Sequence, residues 1–253
     1  MHRSCVRAAA LVVASLCALP VSASESEYET VAEDVALLFR SARSVISSNQ
    51  ARINEKGRGA KGLTADHVVE ATLEVYREHS RGGRPGGRSA LGQKLAKELL
   101  ASVRDVMTKV QPLIDRPDLG FKGFLPAVFA KQVADEFSRR THGAATIKLT
   151  APAELVRNRA NRPDSWERQI LDEHFRSSGW PRGQSFFARA NVDGAPGFRL
   201  MIPEYYQESC LGCHGEPAGA PDITGGRKEG GTLGQLGGAI SVVIREGARH
   251  AGR

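Results

Sequence analysis

Two cysteines separated by two residues and followed at once by a histidine, Cys210-Leu211-Gly212-Cys213-His214, stand near the C-terminal end of a chain of 253 residues. No other part of the sequence constrains the fold as strongly. Two thiols three positions apart can reach the two vinyl groups of one porphyrin as thioethers. The next residue then falls beneath the ring, where a neutral imidazole binds iron. The run points to a covalently held c-type haem, with Cys210 and Cys213 as the tethers and His214 as the axial ligand. There is one such run, hence one haem. Two other readings use the same residues. A structural zinc site needs about four ligands, and the sequence holds no second closely spaced cysteine pair. A redox dithiol of the thioredoxin kind wants its C-x-x-C after a strand, at a helix N-terminus within a βαβ unit. A strand pattern precedes the motif here, but the βαβ pattern is missing.

The other two cysteines, Cys5 and Cys17, lie in a segment that reads as a leader. Arg3 and Arg7 make it basic at the start. Ala8 to Val21 is an apolar run too short for a comfortable membrane span, and Val21-Ser22-Ala23 offers small residues to a signal peptidase. The expectation is a signal peptide over residues 1–23, cut after Ala23, and a periplasmic mature chain with no stable membrane span. An uncleaved N-terminal anchor is the alternative. A lipoprotein is disfavoured because Leu16 precedes Cys17 where a small residue is wanted. Once the leader is gone, the two motif cysteines are alone, so no disulfide framework is expected.

Composition places the rest among ordinary globular proteins: 41% hydrophobic and 25% charged residues exclude disordered, collagenous and multi-span membrane classes. The formal charge of +7 comes without a zinc finger, a basic helix or an aromatic-studded surface. The excess therefore reads as solvated surface, and nucleic acid is not an expected partner.

Apolar residues recur at helical spacing through Val31, Val35, Leu38, Ala42, Val45, Ile46 and Ile53, which predicts a helix from Tyr28 to about Ile53. A second helix is predicted from Thr64, a third through Leu91 to Val110, and a fourth from Leu125 to Arg139. Ser80 to Arg88 is a Gly-rich basic loop. It lacks the preceding strand and the Gly-Lys-Ser/Thr ending of a phosphate cradle. The pattern then changes. Ala144 to Leu149 reads as a strand, and Asp164 and Glu167 frame a capped helix start. Gln184 to Asn191 and Gly197 to Ile202 read as strands joined by the hairpin signal Asp193-Gly194. Ala239 to Ile244 reads as the last strand. Residues 215–238 hold nine glycines and no periodicity, which predicts a loop wrapped over something. Helices followed by a mostly antiparallel sheet argue for an α+β fold.

Four segments in order resemble those of the family of c-type haem-binding PAS-like domains: Phe121 to Ala130, Leu155 to Glu167, Pro203 to Gly215, and Glu229 to Ser241. The resemblance covers nearly all of the chain after the leader. It implies a PAS-like antiparallel sheet with flanking helices and a covalent haem. The expected division is a helical part over 24–118, a haem-binding core over 119–245 and a tail over 246–253. In some relatives the N-terminal helix supplies a sixth iron ligand such as cysteine. Here Ser47, Ser48, Asn49 and Gln50 occupy roughly that region, and none is a strong ligand.

Several further residues are candidates. Arg157, Asn158 and Arg162 offer hydrogen-bond donors to haem propionates, since guanidinium matches carboxylate as a fork. The alternative for them is a loop-fixing network around Asp164. Met107 and Met201 and the histidines His67, His79, His142, His174 and His250 are expected to do surface or core duty, with Met201 facing the side of Arg199. The apolar stripe of the first helix is expected to lie against the haem, with Asn49 on the distal side. The function expected is periplasmic electron transfer or redox relay to a partner protein. The alternative is a haem-based gas or redox sensor acting through a signalling partner. A peroxidase-like enzyme is the less favoured reading, because no distal acid–base pair can be identified.

Overall fold

The computed structural model describes residues 24–246. Residues 1–23, on which the expected signal peptide falls, and the last seven residues, including His250, lie outside the described residues. Helix α1 spans Glu25–Ser48. The Ser24 side chain caps it by accepting from the Glu27 backbone N–H at 3.2 Å, and Glu25 and Glu27 place negative charge at the positive end of its dipole. The helix stops five residues short of the expected end. Asn49 turns its side-chain Nδ2 back to donate to the Val45 carbonyl at 2.9 Å. It competes with the backbone in the way that disfavours Asn inside helices. A single turn, α2 (Gln50–Ile53), follows.

Helices α3 (Ala65–His79), α4 (Ala90–Ile114) and α5 (Pro126–Arg140) come next. Thr64 caps α3 and Ser89 caps α4 through their hydroxyls. Pro126 stands at the first position of α5, where its missing N–H removes no internal bond. Strand β1 (Ala145–Thr150) leads through two 3-10 turns to α6 (Ser165–Gln169), which runs into a π-helical turn over Ile170–Phe175. Strands β2 (Phe186–Val192) and β3 (Ala195–Tyr205) form the expected hairpin, with Asp193 and Gly194 both at positive φ, 53° and 86°. A short helix, α7 (Glu208–His214), and a long loop then lead to β4 (Leu236–Arg245). The four strands are antiparallel in the order β1-β4-β3-β2. The α+β architecture read from the sequence is the architecture of the chain.

The two-residue period of the strands divides the sheet into two faces. Phe198, Leu200, Ile240, Val242 and Ile244 join α1, α3, α4 and α5 in one continuous core. Tyr28 on α1 stacks on Phe198 at 4.2 Å between ring centroids. The stripe of Val35, Leu38, Ala42, Val45 and Ile46 belongs to this core, so protein side chains supply the apolar surface it requires. Met107 is fully buried in the same core. The opposite face carries Met201 and Ala239 beneath Ile170, Leu171 and Phe175, with Met201 on the side of Arg199 as the alternation requires.

On that second face the Asp164 and Glu167 cap forms as the sequence suggests: each accepts from the other's backbone N–H, at 2.8 and 2.9 Å. A loop-fixing network does surround Asp164, but its cation is Arg199. The Arg199 guanidinium donates to Asp164 at 2.6 Å, lies 3.4 Å from Glu167 and covers the Trp166 ring at 4.3 Å. Lys148 also reaches Glu167, at 2.8 Å, and Glu167 is 1% exposed. Removing one member of a buried ion network leaves uncompensated charge on the others. Glu167→Gln is therefore expected to lower the unfolding free energy by about 3 kcal/mol. Urea unfolding followed by circular dichroism measures this, and a loss below ~0.5 kcal/mol would remove the network from the stability of the fold.

Candidate functional site

The motif sits on α7, seven residues separated from the end of β3 by Tyr206 and Gln207. A register shift at Glu204 and Tyr205 ends the regular β3–β4 pairing and turns the chain out of the sheet. Helical spacing then determines the layout. Cys210 and Cys213 are three apart and His214 is four from Cys210, so the three side chains share one helix face. Both thiols are free and half-buried. Burial pushes the Cys213 thiol up, with Asp222 adding to the rise. The strands on either side of α7, β3 and β4, are antiparallel neighbours, so α7 is not the helix of a βαβ unit. Among the described residues, no three His, Cys, Asp or Glu side chains gather into a cage for a metal ion.

The loop after the motif folds back onto it. The Gly231 N–H donates to the His214 carbonyl at 2.7 Å and the Gly230 N–H to the Gly215 carbonyl at 3.2 Å. Tyr206 is the centre of this fold-back. Its ring stacks on the His214 imidazole, centroids 5.3 Å apart and 18° from parallel. A Cβ at Gly231 or at Gly237 would lie 2.5 Å from the Tyr206 ring, so only glycine lets the backbone pass on both sides. Burial, reinforced by Glu229, pushes the Tyr206 hydroxyl up to about 12. The loop predicted to wrap over something wraps over Tyr206 and the motif.

One imidazole nitrogen of His214 is engaged, and among the described residues the other has no hydrogen-bond partner. Nδ1 lies 2.9 Å from Glu229 Oε2. Burial pushes the Glu229 carboxyl up, but the hydrogen bonds from Arg157 and His214 outweigh it and its pKa ends below the usual carboxylate value. Glu229 is thus an ionised, acceptor-only group at neutral pH, so Nδ1 carries the hydrogen. In the neutral ring Nε2 then keeps its lone pair. Arg157 closes the network. It donates to Glu229 Oε1 at 2.5 Å, to the buried Asp222 carboxylate, to the Cys213 carbonyl at 2.7 Å and to the Arg227 carbonyl at 2.9 Å. Asp222 is held far below the usual carboxylate range by the Thr224 hydroxyl and by Arg157.

The other candidate residues are placed as follows. Arg157 is next to the motif, but its guanidinium is engaged by protein carboxylates and carbonyls. Asn158 accepts from the Ala160 N–H at 3.0 Å and caps a 3-10 turn. The Arg162 side chain is exposed, while its carbonyl accepts from Lys148 at 3.1 Å. Asn49 is half-buried at the end of α1, and among the described residues no hydrogen bond links it to the motif. His174 lies in an aromatic group with Trp180 and Phe186, centroids 4.7 and 4.6 Å away. His79 is tied to the Val75 carbonyl at 2.8 Å. Sequence reasoning did not foresee Glu229, Asp222 or Tyr206 as parts of the site. A lone carboxylate among glycines looks like a solvated charge until the loop is seen to fold back.

A family model described as Tll0287-like matches residues 24–245, from the N-cap of α1 to the last residue of β4. No curated protein and no solved structure matches the chain.

Proposed function

The chain belongs to the Tll0287-like family, and we propose that it is an exported monohaem c-type protein that passes electrons to a redox partner in the periplasm. In this reading the sheet and its flanking helices are a PAS-like core. Cys210 and Cys213 hold the porphyrin as thioethers, and His214 binds the iron through Nε2. The observation that carries the reading is the His214–Glu229 contact at 2.9 Å. A metal-binding imidazole characteristically donates its other N–H to a carboxylate or carbonyl, which settles its tautomer and raises its basicity. The donor set fits: two free thiols and an imidazole with one available nitrogen share the face of one helix. Haem bound there supplies a one-electron couple.

The chain's own residues have distinct tasks. Glu229 orients His214 and keeps the hydrogen on Nδ1. Arg157 neutralises Glu229 and ties it to Asp222 and to the Cys213 carbonyl. Tyr206 supports the imidazole from one side and keeps water from that side. Arg162, exposed and without an ion pair among the described residues, is the guanidinium available to a propionate. Export rests on the leader read over residues 1–23. Among the described residues no helix is long and apolar enough to cross a membrane.

The full chain, produced in a host that matures c-type haem, tests the proposal. One haem per chain should resist acid–acetone extraction, and the spectrum should change reversibly on reduction. Pigment that extracts, or a chain exported without pigment, would overturn it. A ferrous protein that binds carbon monoxide at once would exchange the carrier reading for the sensor reading.

A further inference from the structure

We propose that the groove between α3 and α4 is a binding site for a single-chain amphiphile with an anionic head, of the class of long-chain carboxylates. The groove has a volume of about 570 Å³, within the range of small-molecule sites. Leu73 and Arg77 of α3, Arg84 and Pro85 of the connecting loop, and Lys97 and Leu100 of α4 line it. Apolar side chains form the floor and cations form the rim, and no carboxylate takes part in the lining. Several arginines elsewhere are held by carboxylates, as Arg40 and Arg43 are by Glu204 and Arg140 is by Glu98 and Asp105. Arg77, Arg84 and Lys97 have no ion pair among the described residues. Arg104, at the far end, is paired with Asp66.

The loop that brings Arg84 to the rim is built in place. Asp34 on α1 accepts from the Gly86 N–H at 2.5 Å and also from the Tyr76 hydroxyl, which reaches the Arg84 carbonyl at 3.3 Å. Gly86 is buried against the first turn of α4, where a Cβ would lie 2.4 Å from the Gln93 Cα. The Gly-rich basic run, which cannot be a phosphate cradle, thus has another use: it holds a cation against an apolar trough.

The occupant follows from matching both parts of the groove. A small inorganic anion would satisfy the cations and leave Leu73 and Leu100 uncovered. A neutral apolar molecule would cover the floor and leave three positive charges unanswered. A nucleotide would want an aromatic ring to stack on, and none lines the groove. An acyl chain along the floor with a carboxylate at the rim meets both demands.

Titration of the full chain with dodecanoate by isothermal calorimetry tests this. The result expected is saturable one-to-one binding, with Arg84→Glu and Lys97→Glu each weakening it on the order of tenfold. Both positions are exposed, so each variant should keep the parent's melting temperature, and either one is sufficient. The proposal is overturned if dodecanoate gives no heat at millimolar concentration, or if dodecyltrimethylammonium or inorganic phosphate binds as tightly. It is also overturned if both variants bind like the parent, or if vesicles of anionic phospholipid are bound while dodecanoate is not.

Discussion

His214→Ala is expected to leave the haem attached through both thioethers while removing its axial nitrogen. The Soret band should shift, the iron should change spin state, and the midpoint potential should move by on the order of 100 mV or more, since axial ligands are the strongest lever on haem potential. The cause lies in the helix. Cys210, Cys213 and His214 share one face of α7, so truncating the imidazole leaves both thiols where they were and takes away the proposed iron ligand. Added imidazole should restore the parent spectrum by entering the space between Tyr206 and the loop. Folding measures something else: the Gly231 N–H bonds to the His214 carbonyl, which alanine keeps, so the loop should stay closed. A variant whose oxidised and reduced spectra match the parent's would show that another residue binds the iron, and the proposed function would lose its central assignment.

The sheet was legible in the sequence wherever one face met the core. Alternation along 197–202 places Met201 opposite Leu200, and the two do lie in separate clusters. Asp193-Gly194 specified the hairpin because few residues tolerate two successive positive φ values. Helix α7 was not legible. Seven residues with a glycine among them carry no measurable helical period, and only the turn out of β3 creates the helix. The start of β4 was hidden for a related reason. Gly237 and Gly238 look like loop, yet Gly238 pairs with Glu204, and Gly237 is required for the Tyr206 ring to fit. The motif named the candidate ligands but not their environment. Arg157 was visible as a cation near the expected haem, while its partners Asp222 and Glu229 lie 65 and 72 positions away in sequence. Such pairs are created by the fold-back of a glycine-rich loop, which no local pattern encodes.

That environment leads to the second large effect. Glu229→Gln is expected to raise the midpoint potential by about 60 mV, which corresponds to a tenfold loss in the preference of the site for ferric over ferrous iron. An ionised carboxylate on Nδ1–H makes the imidazole a better electron donor, and the better donor favours the more positive iron. The amide keeps the shape and can still accept the hydrogen bond, but it removes the charge. Arg157→Met should move the potential the other way. It leaves the Glu229 charge without its neutralising guanidinium, so the donor strength of His214 rises and the potential falls. The shift should be smaller, because the Arg157 side chain is about a third exposed and solvent screens part of its field. A purely structural role would give shifts of the same sign, since both variants loosen the same loop. Spectroscopic redox titration of the two variants beside the parent decides between these outcomes, and potentials that move together would remove Glu229 and Arg157 from the tuning of the iron.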